Sequence, residues 1–175
     1  MINIIIDDLF LSQKIGFKKR FSNKHLLLFQ YFRTKTKIYP ENIIKINGII
    51  FFFVSKKNYF HAKLYQHYLR MEAKYLKVII ISVEETLIKQ IFSFFPDIYI
   101  HDIEFNVEEN KNCSITIIIL TKKEREIAIG NGGIYIDAIN EIFKNHIILK
   151  GNFANNFRLN IKCNLAKSEL PWNIF

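Results

Sequence analysis

Residues 125–133 read Arg125-Glu-Ile-Ala-Ile-Gly-Asn-Gly-Gly133, and this glycine-rich stretch decides how the second half of the chain is interpreted. The pattern predicts a short helix over 122–129 that has to stop at Gly130, and a second helix that begins at about Ile134. Glycine lets the backbone bend sharply and removes side chains that would block a ligand. The free amides at the start of the second helix would face that ligand, which favours a phosphate group.

The segments on both sides of this turn complete a regular order of elements. Before it, a helix is predicted over about 86–95, followed by a strand over 102–107 in which apolar and polar residues alternate. A second strand over about 113–121 is almost wholly apolar, which is typical of a central strand. Residues 157–165 alternate most strictly, as expected of a sheet with one face in the core. Residues 84–165 therefore read α-β-β-α-GNGG-α-β, which predicts an α+β fold whose three-stranded sheet is covered on one face by helices.

This order of elements, with a Gly-x-x-Gly turn between the last two helices, is the layout of a type II KH domain. From about Glu85 to Trp172 the chain resembles the C-terminal KH domain of the ribosome-assembly GTPase Era. The transcription factor NusA and one small-subunit ribosomal protein are similar at this level. Four pieces carry the resemblance to Era: Leu87-Ile-Lys-Gln90 with Phe95-Pro96-Asp97, Asp102-Ile-Glu-Phe105, Arg125 to Gly133, and Phe157-Arg-Leu-Asn-Ile-Lys162 with Trp172.

The resemblance implies binding to the 3′ region of the small-subunit ribosomal RNA, since a KH domain clamps about four unpaired nucleotides between its glycine loop and an apolar groove. The resemblance assigns a phosphate-binding loop to Gly130, Asn131, Gly132 and Gly133. It also assigns phosphate contacts to the basic residues that precede this loop, Lys122, Lys123 and Arg125. From their positions beside the turn, Ile127, Ile129 and Ile134 are expected to form the apolar surface for the bases. The family usually places a lysine within or just after the loop, whereas Ile134 and Tyr135 follow it here.

The excess positive charge lies in the N-terminal half. Residues 1–77 hold 15 Lys and Arg against 4 Asp and Glu, a net charge of +11, whereas residues 78–175 hold 10 against 12, a net charge of −2. This asymmetry predicts a basic N-terminal extension over 1–77 and a KH domain over 78–175. An amphipathic helix is predicted at about 59–77. Its apolar stripe is Phe60, Leu64, Tyr68, Met71 and Tyr75, and its basic stripe, a candidate for contacts with RNA phosphates, is Lys63, Arg70, Lys74 and Lys77.

No motif in the sequence indicates an enzyme or a cofactor. There is no GxxxxGK[ST] phosphate loop and no Asn-Lys-x-Asp motif, so neither nucleotide binding nor hydrolysis is predicted. Cys113 and Cys163 stand far apart and the five histidines lack ligand spacing, so no metal site or disulfide is expected. The longest uninterrupted apolar run, 49–54, is too short to span a membrane, and no membrane partner is predicted. No internal repeat is visible.

These observations predict a non-catalytic RNA-binding protein that is a structural component of an organellar ribosomal small subunit, in a mitochondrion or another organelle. Its expected partners are small-subunit ribosomal RNA, contacted through the KH domain and the basic extension, and neighbouring ribosomal proteins. Two alternatives stay open. The chain could be a KH-fold scaffold within the ribosome that docks a protein and no longer binds RNA. It could also be a free ribosome-assembly factor.

Overall fold

The structure, a computed structural model of the chain, describes residues 10–19, 22–73, 76–107, 112–150 and 158–166. Its helices are α1 (Asn23–Thr36), α2 (Tyr59–Leu64), α3 (Gln66–Glu72), α4 (Leu87–Ser93), α5 (Lys122–Ile129) and α6 (Ile134–Asn145). Its strands are β1 (Lys14–Phe17), β2 (Asn42–Ile46), β3 (Ile49–Ser55), β4 (Lys77–Val83), β5 (Ile100–Val107), β6 (Asn112–Ile119), β7 (Ile147–Lys150) and β8 (Arg158–Leu165). Single 3-10 turns lie at Lys56–Asn58 and Asn131–Gly133. The described chain combines helices with three-stranded sheets that contain antiparallel strand pairs, which confirms the predicted α+β class.

The first sheet has the strand order β2-β3-β4. β2 and β3 are antiparallel and are joined by Asn47 and Gly48, whose φ angles are 50° and 76°. Positive φ at both positions is typical of the two-residue turns that match the twist of a hairpin. α2 and α3 follow, and β4 then returns parallel to β3.

The second sheet has the strand order β5-β6-β8, with β5 antiparallel and β8 parallel to β6. β6 is the central strand, and side chains such as Ile115 and Ile117 are fully buried, as predicted from its apolar sequence. In β8, Ile161 and Cys163 are buried while Lys162 is exposed, which confirms the two faces that the alternation predicts. The order of helices and strands expected for residues 84–165 is present, with β7 as an addition.

Both halves of the chain have the same order of elements and the same strand pairing. Residues 23–83 contain α1-β2-β3-α2-α3-β4, here called the first unit, and residues 87–165 contain α4-β5-β6-α5-α6-β8, the second unit. Each unit has an antiparallel pair of strands, then two helices, then a third strand parallel to the second. β7 lies between α6 and β8 and pairs antiparallel with β1, which attaches the start of the described chain to the second unit.

The described chain has two hydrophobic clusters, one within the first unit and one shared by both units, and together they explain the uninterrupted apolar run in β3. Phe52 points towards the helices of the first unit and stacks on Phe32, with ring centroids 4.4 Å apart. The neighbouring Phe51 and Phe53 point the opposite way, into a cluster formed with the second unit. The rings of Phe53 and Phe94 lie 6.0 Å apart across this junction. β3 is therefore covered on both faces, and its sequence cannot alternate.

The structure of the N-terminal half differs from the predicted basic extension. β4 pairs with β3 along its whole length, so the predicted boundary between residues 77 and 78 would cut the first sheet. The basic half is instead a folded unit that ends with β4. The helix predicted at about 59–77 is two short helices, which are separated at Tyr65. The side chains that face the core are those of Ala62 and Leu69. Phe60 and Leu64 of the predicted apolar stripe therefore point away from the core, and each is 80 % exposed.

None of the helices in the described ranges combines the length and the apolar character needed to cross a lipid bilayer.

Candidate nucleic-acid interface

The glycine turn lies between α5 and α6, and backbone hydrogen bonds hold it in place. Gly130 N donates to Glu126 O at 2.9 Å, which ends α5, and Gly133 N donates to Gly130 O at 3.1 Å. Gly130, Gly132 and Gly133 have φ angles of 78°, 61° and 84°. Residues with a Cβ rarely adopt such angles, so the geometry of the turn depends on glycine.

Gly130 and Gly132 have opposite surroundings. A Cβ on Gly130 would lie 2.7 Å from the Cβ of Tyr135 and 3.0 Å from its backbone nitrogen, so a bare Gly130 lets the turn pack against α6. At Gly132, no heavy atom of the described residues beyond its immediate chain neighbours lies within 4 Å of the same position. Gly130 therefore serves the fold, whereas Gly132 leaves one side of the turn open to a ligand.

Gly130 and Asn131 of the turn border a cleft between the two units, here called the seam cleft, with a volume of about 270 Å³. The second unit lines it with Gly130, Asn131 and Ile134, of which Ile134 is one of the exposed large apolar residues. The first unit contributes Gly48 from its hairpin turn and the side chain of Lys77. A glycine turn, a cation and an apolar side chain thus meet at one surface.

A smaller cavity of about 100 Å³, here called the seam pocket, shares Lys77 and Tyr135 with the seam cleft. Its other polar lining comes mainly from α2 and α3 of the first unit, while α5 of the second unit adds an exposed isoleucine: Lys63, Gln66, Arg70 and Ile127. The fold therefore brings two candidates from the predicted basic stripe, Lys63 and Arg70, to the candidate base-contacting residue Ile127.

Positive charge is concentrated at the seam pocket. Lys63 Nζ lies 3.5 Å from Asp97 Oδ2, and that carboxylate is largely exposed. Arg70 donates from Nε to the backbone oxygen of Val78 at 2.9 Å, which fixes its guanidinium beside β4. Burial, and after it the positive charge of Arg70, lower the pKa of Lys77 below its ordinary value of 10.5. A bound anion would favour the charged form of Lys77 and so oppose this lowering of its pKa.

The other predicted cations lie away from the turn. Lys122 and Lys123 are exposed in the first turn of α5, whereas the glycine turn follows the other end of this eight-residue helix, about 12 Å away. Arg125 donates from Nε to the backbone oxygen of Cys163 at 3.1 Å, which attaches α5 to β8. Arg125 thus has a structural role, and its predicted contact with RNA stays a prediction.

Of two further candidates, one differs from expectation and the other stays a prediction. Ile129 packs against the core shared by the two units, so it does not belong to an exposed apolar groove with Ile127 and Ile134. Lys74 lies outside the described residues.

Sequence reasoning missed Gln66 and Tyr135 as lining residues of the seam. Tyr135 is buried, its hydroxyl donates to the backbone oxygen of Phe94 at 2.5 Å, and burial raises its pKa. Gln66 belongs to the other unit, and nothing in its local sequence points to the glycine turn. The one signal for the seam in the sequence is Lys77, which belongs to the basic stripe of the predicted helix.

The described residues contain no group of three or more His, Cys, Asp or Glu side chains that could hold a metal ion. Cys113 and Cys163 are buried as free thiols, and burial raises the pKa of each to about 11. Such thiols are poor nucleophiles at neutral pH.

Comparison with known proteins finds a similar fold. No family model and no curated protein match the chain. The crystal structure of APE1850 is similar, with a TM-score of 0.57 and 18 % sequence identity. The similarity covers 82 % of this chain and 100 % of that chain. Because neither unit alone makes up that share of the chain, the likeness includes both units, and at this identity it shows the fold alone.

Proposed function

We propose that this chain is a non-catalytic RNA-binding protein built from two units of the type II KH kind, and that its glycine turn holds single-stranded RNA. One observation carries the proposal. Gly132 has open space beside its Cα, and it belongs to a turn whose Gly130 and Asn131 line a cleft together with Lys77 and Ile134. This is the combination of bare backbone, cation and apolar surface with which a KH domain clamps about four unpaired nucleotides.

Lys77 supplies the cation that the turn itself lacks. The residues that follow the turn, Ile134 and Tyr135, are uncharged, although related loops usually carry a lysine there. Lys77 reaches the same cleft from β4 of the first unit. A phosphate at the start of α6 would therefore meet free backbone amides from one unit and an ammonium group from the other.

The charge of the chain fits an RNA partner. The net charge is +9, and most of the first unit lies within residues 1–77, which carry the excess. Contacts between lysine or arginine and phosphates release counterions, so affinity should fall as salt rises. Most of the affinity would be electrostatic, and the bases would add selectivity.

The proposal is tested by fluorescence anisotropy with labelled single-stranded RNA of about eight nucleotides, which exceeds the four that one glycine turn of a KH domain clamps. The variants are Gly132→Asp and Gly132→Asn, which have side chains of nearly equal size. Both residues tolerate the left-handed backbone, so both variants should fold, as circular dichroism would check. We expect Gly132→Asp to weaken binding more than tenfold because a carboxylate repels phosphate, whereas Gly132→Asn retains most of the affinity.

Two results would contradict the proposal. One is a wild-type protein that shows no salt-dependent binding to the RNA. The other is equal affinity of the wild type and Gly132→Asp, because RNA would then bind away from the turn.

The resemblance to Era extends the proposal to small-subunit ribosomal RNA and neighbouring ribosomal proteins in a mitochondrion or another organelle. Sedimentation of a cell lysate through a sucrose gradient tests this part. A resident protein should travel with small subunits at physiological salt. A transient assembly factor should travel with immature particles or as free protein.

A protein-docking scaffold is the second candidate, and the surface of α2 and α3 favours it. Phe60 and Leu64 are each 80 % exposed, and Met71 is 69 % exposed. Apolar side chains gathered on a surface often mark a protein contact. A scaffold should lose its association with ribosomal particles in Phe60→Ser, while an RNA-binding resident should lose it in Gly132→Asp.

A further inference from the structure

Gln66 is a buried amide with an unused acceptor. It begins α3 and is 7 % exposed, yet among the described residues its Oε1 atom has no hydrogen-bond partner. A buried carbonyl without a partner loses its hydrogen bonds to water and gains none in return, so such groups are rare in folded proteins. Gln66 lines the seam pocket, where a ligand with an N–H group could satisfy it.

The surroundings of Gln66 suit a flat, partly polar ligand attached to an anion. The pocket volume of about 100 Å³ is of the size of one nucleobase. Ile127 and Ile98 provide apolar contact. The charged groups in the lining are Lys63, Arg70, Lys77 and Asp97, so cations exceed carboxylates by two.

The pocket is also continuous with the proposed path of RNA. Lys77 and Tyr135 line both the seam pocket and the seam cleft, and the Nζ atom of Lys77 lies 5.1 Å from the centre of the Tyr135 ring. A strand whose phosphate lies at the glycine turn and Lys77 would therefore have its next base within reach of Gln66.

We propose that the seam pocket takes one unpaired base of the bound RNA, which donates a hydrogen bond from its Watson–Crick edge to Gln66 Oε1. This inference rests on the proposed RNA binding and adds a base-reading subsite that the first unit contributes to the glycine turn of the second. Each of the four bases carries an N–H group on that edge, so the amide distinguishes a nucleotide with a base from an abasic one but does not select among the four bases. Arg70 and Lys77 neutralise the phosphate attached to it.

The experiment compares two labelled probes of about eight units, single-stranded RNA and a chain of abasic ribose phosphates, by fluorescence anisotropy. The ratio of their dissociation constants measures how much the bases contribute. We expect the wild type to prefer the RNA by more than tenfold. Gln66→Met has a side chain of similar length without the amide, and should reduce this preference about tenfold, as the loss of one hydrogen bond to a buried group predicts.

The melting temperature separates this proposal from a purely structural role for Gln66, in which Gln66→Met would destabilise the fold. Methionine removes an unsatisfied buried amide, so Gln66→Met should melt at the same or a higher temperature while it loses preference for bases. Ile127→Ala provides a second variant that leaves the core intact, since Ile127 is 52 % exposed. It should also reduce the preference for bases and leave binding of the abasic chain within about twofold of the wild type.

The possible failures are distinguishable. If Gln66→Met and Ile127→Ala keep the full preference for bases, the base pocket is wrong and RNA binding at the turn stands. If the wild type binds the two probes equally, the base pocket is likewise wrong and RNA binding at the turn stands. If the wild type binds neither probe, the proposed function and the pocket both fail.

Discussion

The ammonium group of Lys77 lies 5.1 Å from the centre of the Tyr135 ring, so a cation from the first sheet rests on an aromatic ring at the start of α6. A cation within about 6 Å of a ring is attracted to its face. The contact crosses the seam between the two units and lies beside the glycine turn, because Gly130 packs directly against Tyr135. Lys77 is therefore held beside the glycine turn, at the proposed site for RNA phosphates.

The first prediction concerns the pH dependence of RNA binding. The lowered pKa of Lys77 means that the free protein loses this charge at a lower pH than an ordinary lysine would. Phosphate binds the charged form, so affinity should fall as pH rises through that pKa. Lys77→Arg stays charged and should keep its affinity, whereas Lys77→Gln should bind about tenfold more weakly with a flatter profile. Anisotropy with 2′-O-methyl oligocytidine, which resists alkali, measures this from about pH 7 to about pH 10. Parallel profiles for the wild type and Lys77→Arg would count against the role of Lys77.

The second prediction separates the two glycines of the turn. Gly130 combines a φ of 78° with a ψ of 170°, a region that only glycine readily occupies. Alanine there would also place its Cβ 2.7 Å from Tyr135 Cβ, so Gly130→Ala should lower the free energy of unfolding by about 3 kcal/mol. Gly132→Ala meets no atom of the described residues within 4 Å and should cost only about 1 kcal/mol. Urea unfolding followed by circular dichroism measures both values, and equal losses would contradict this division of roles.

The third prediction concerns the two thiols. Burial raises the pKa of Cys113 and Cys163 to about 11, which is about two pH units above the value of 9.0 for a free thiol. The thiolate fraction at neutral pH is then about 100-fold lower, and access is also restricted. Neither cysteine should react with N-ethylmaleimide in the native protein within minutes, and both should react in urea. Mass spectrometry of the intact protein counts the adducts, and rapid native labelling would show that β6 and β8 open readily.

The second unit could be predicted well from its sequence because its signals are local. The alternation around Ile161 and Cys163 and the apolar run of β6 specify strands without knowledge of distant contacts. The glycines at 130–133 stop one helix and permit the next wherever they occur in a fold. The order of elements followed directly from these segments.

The first unit was not predicted, for reasons that are visible in its packing. β3 is covered on both faces, so its sequence does not alternate, and the junction of α2 and α3 at Tyr65 has no glycine to mark it. The spacing of Phe60 and Leu64 indicated a buried stripe, but Ala62 faces the core instead. The seam was equally hidden, because Gln66 and Lys77 meet the glycine turn only through tertiary structure.

The last prediction tests how α6 secures the second sheet. The Asn140 side chain donates from Nδ2 to the Ile161 oxygen at 3.0 Å and accepts from the Ile161 nitrogen at 2.7 Å. Ile161 lies in β8, and both of its backbone groups therefore point away from β6, towards the helix. Asn140→Leu would leave two partly buried backbone groups without partners, and should lower the free energy of unfolding by about 2–4 kcal/mol. Asn160→Leu makes the same substitution at an exposed position of β8 and should change stability by less than about 0.5 kcal/mol. If both variants unfold at the same urea concentration, the bond between Asn140 and Ile161 is not what holds β8 against α6.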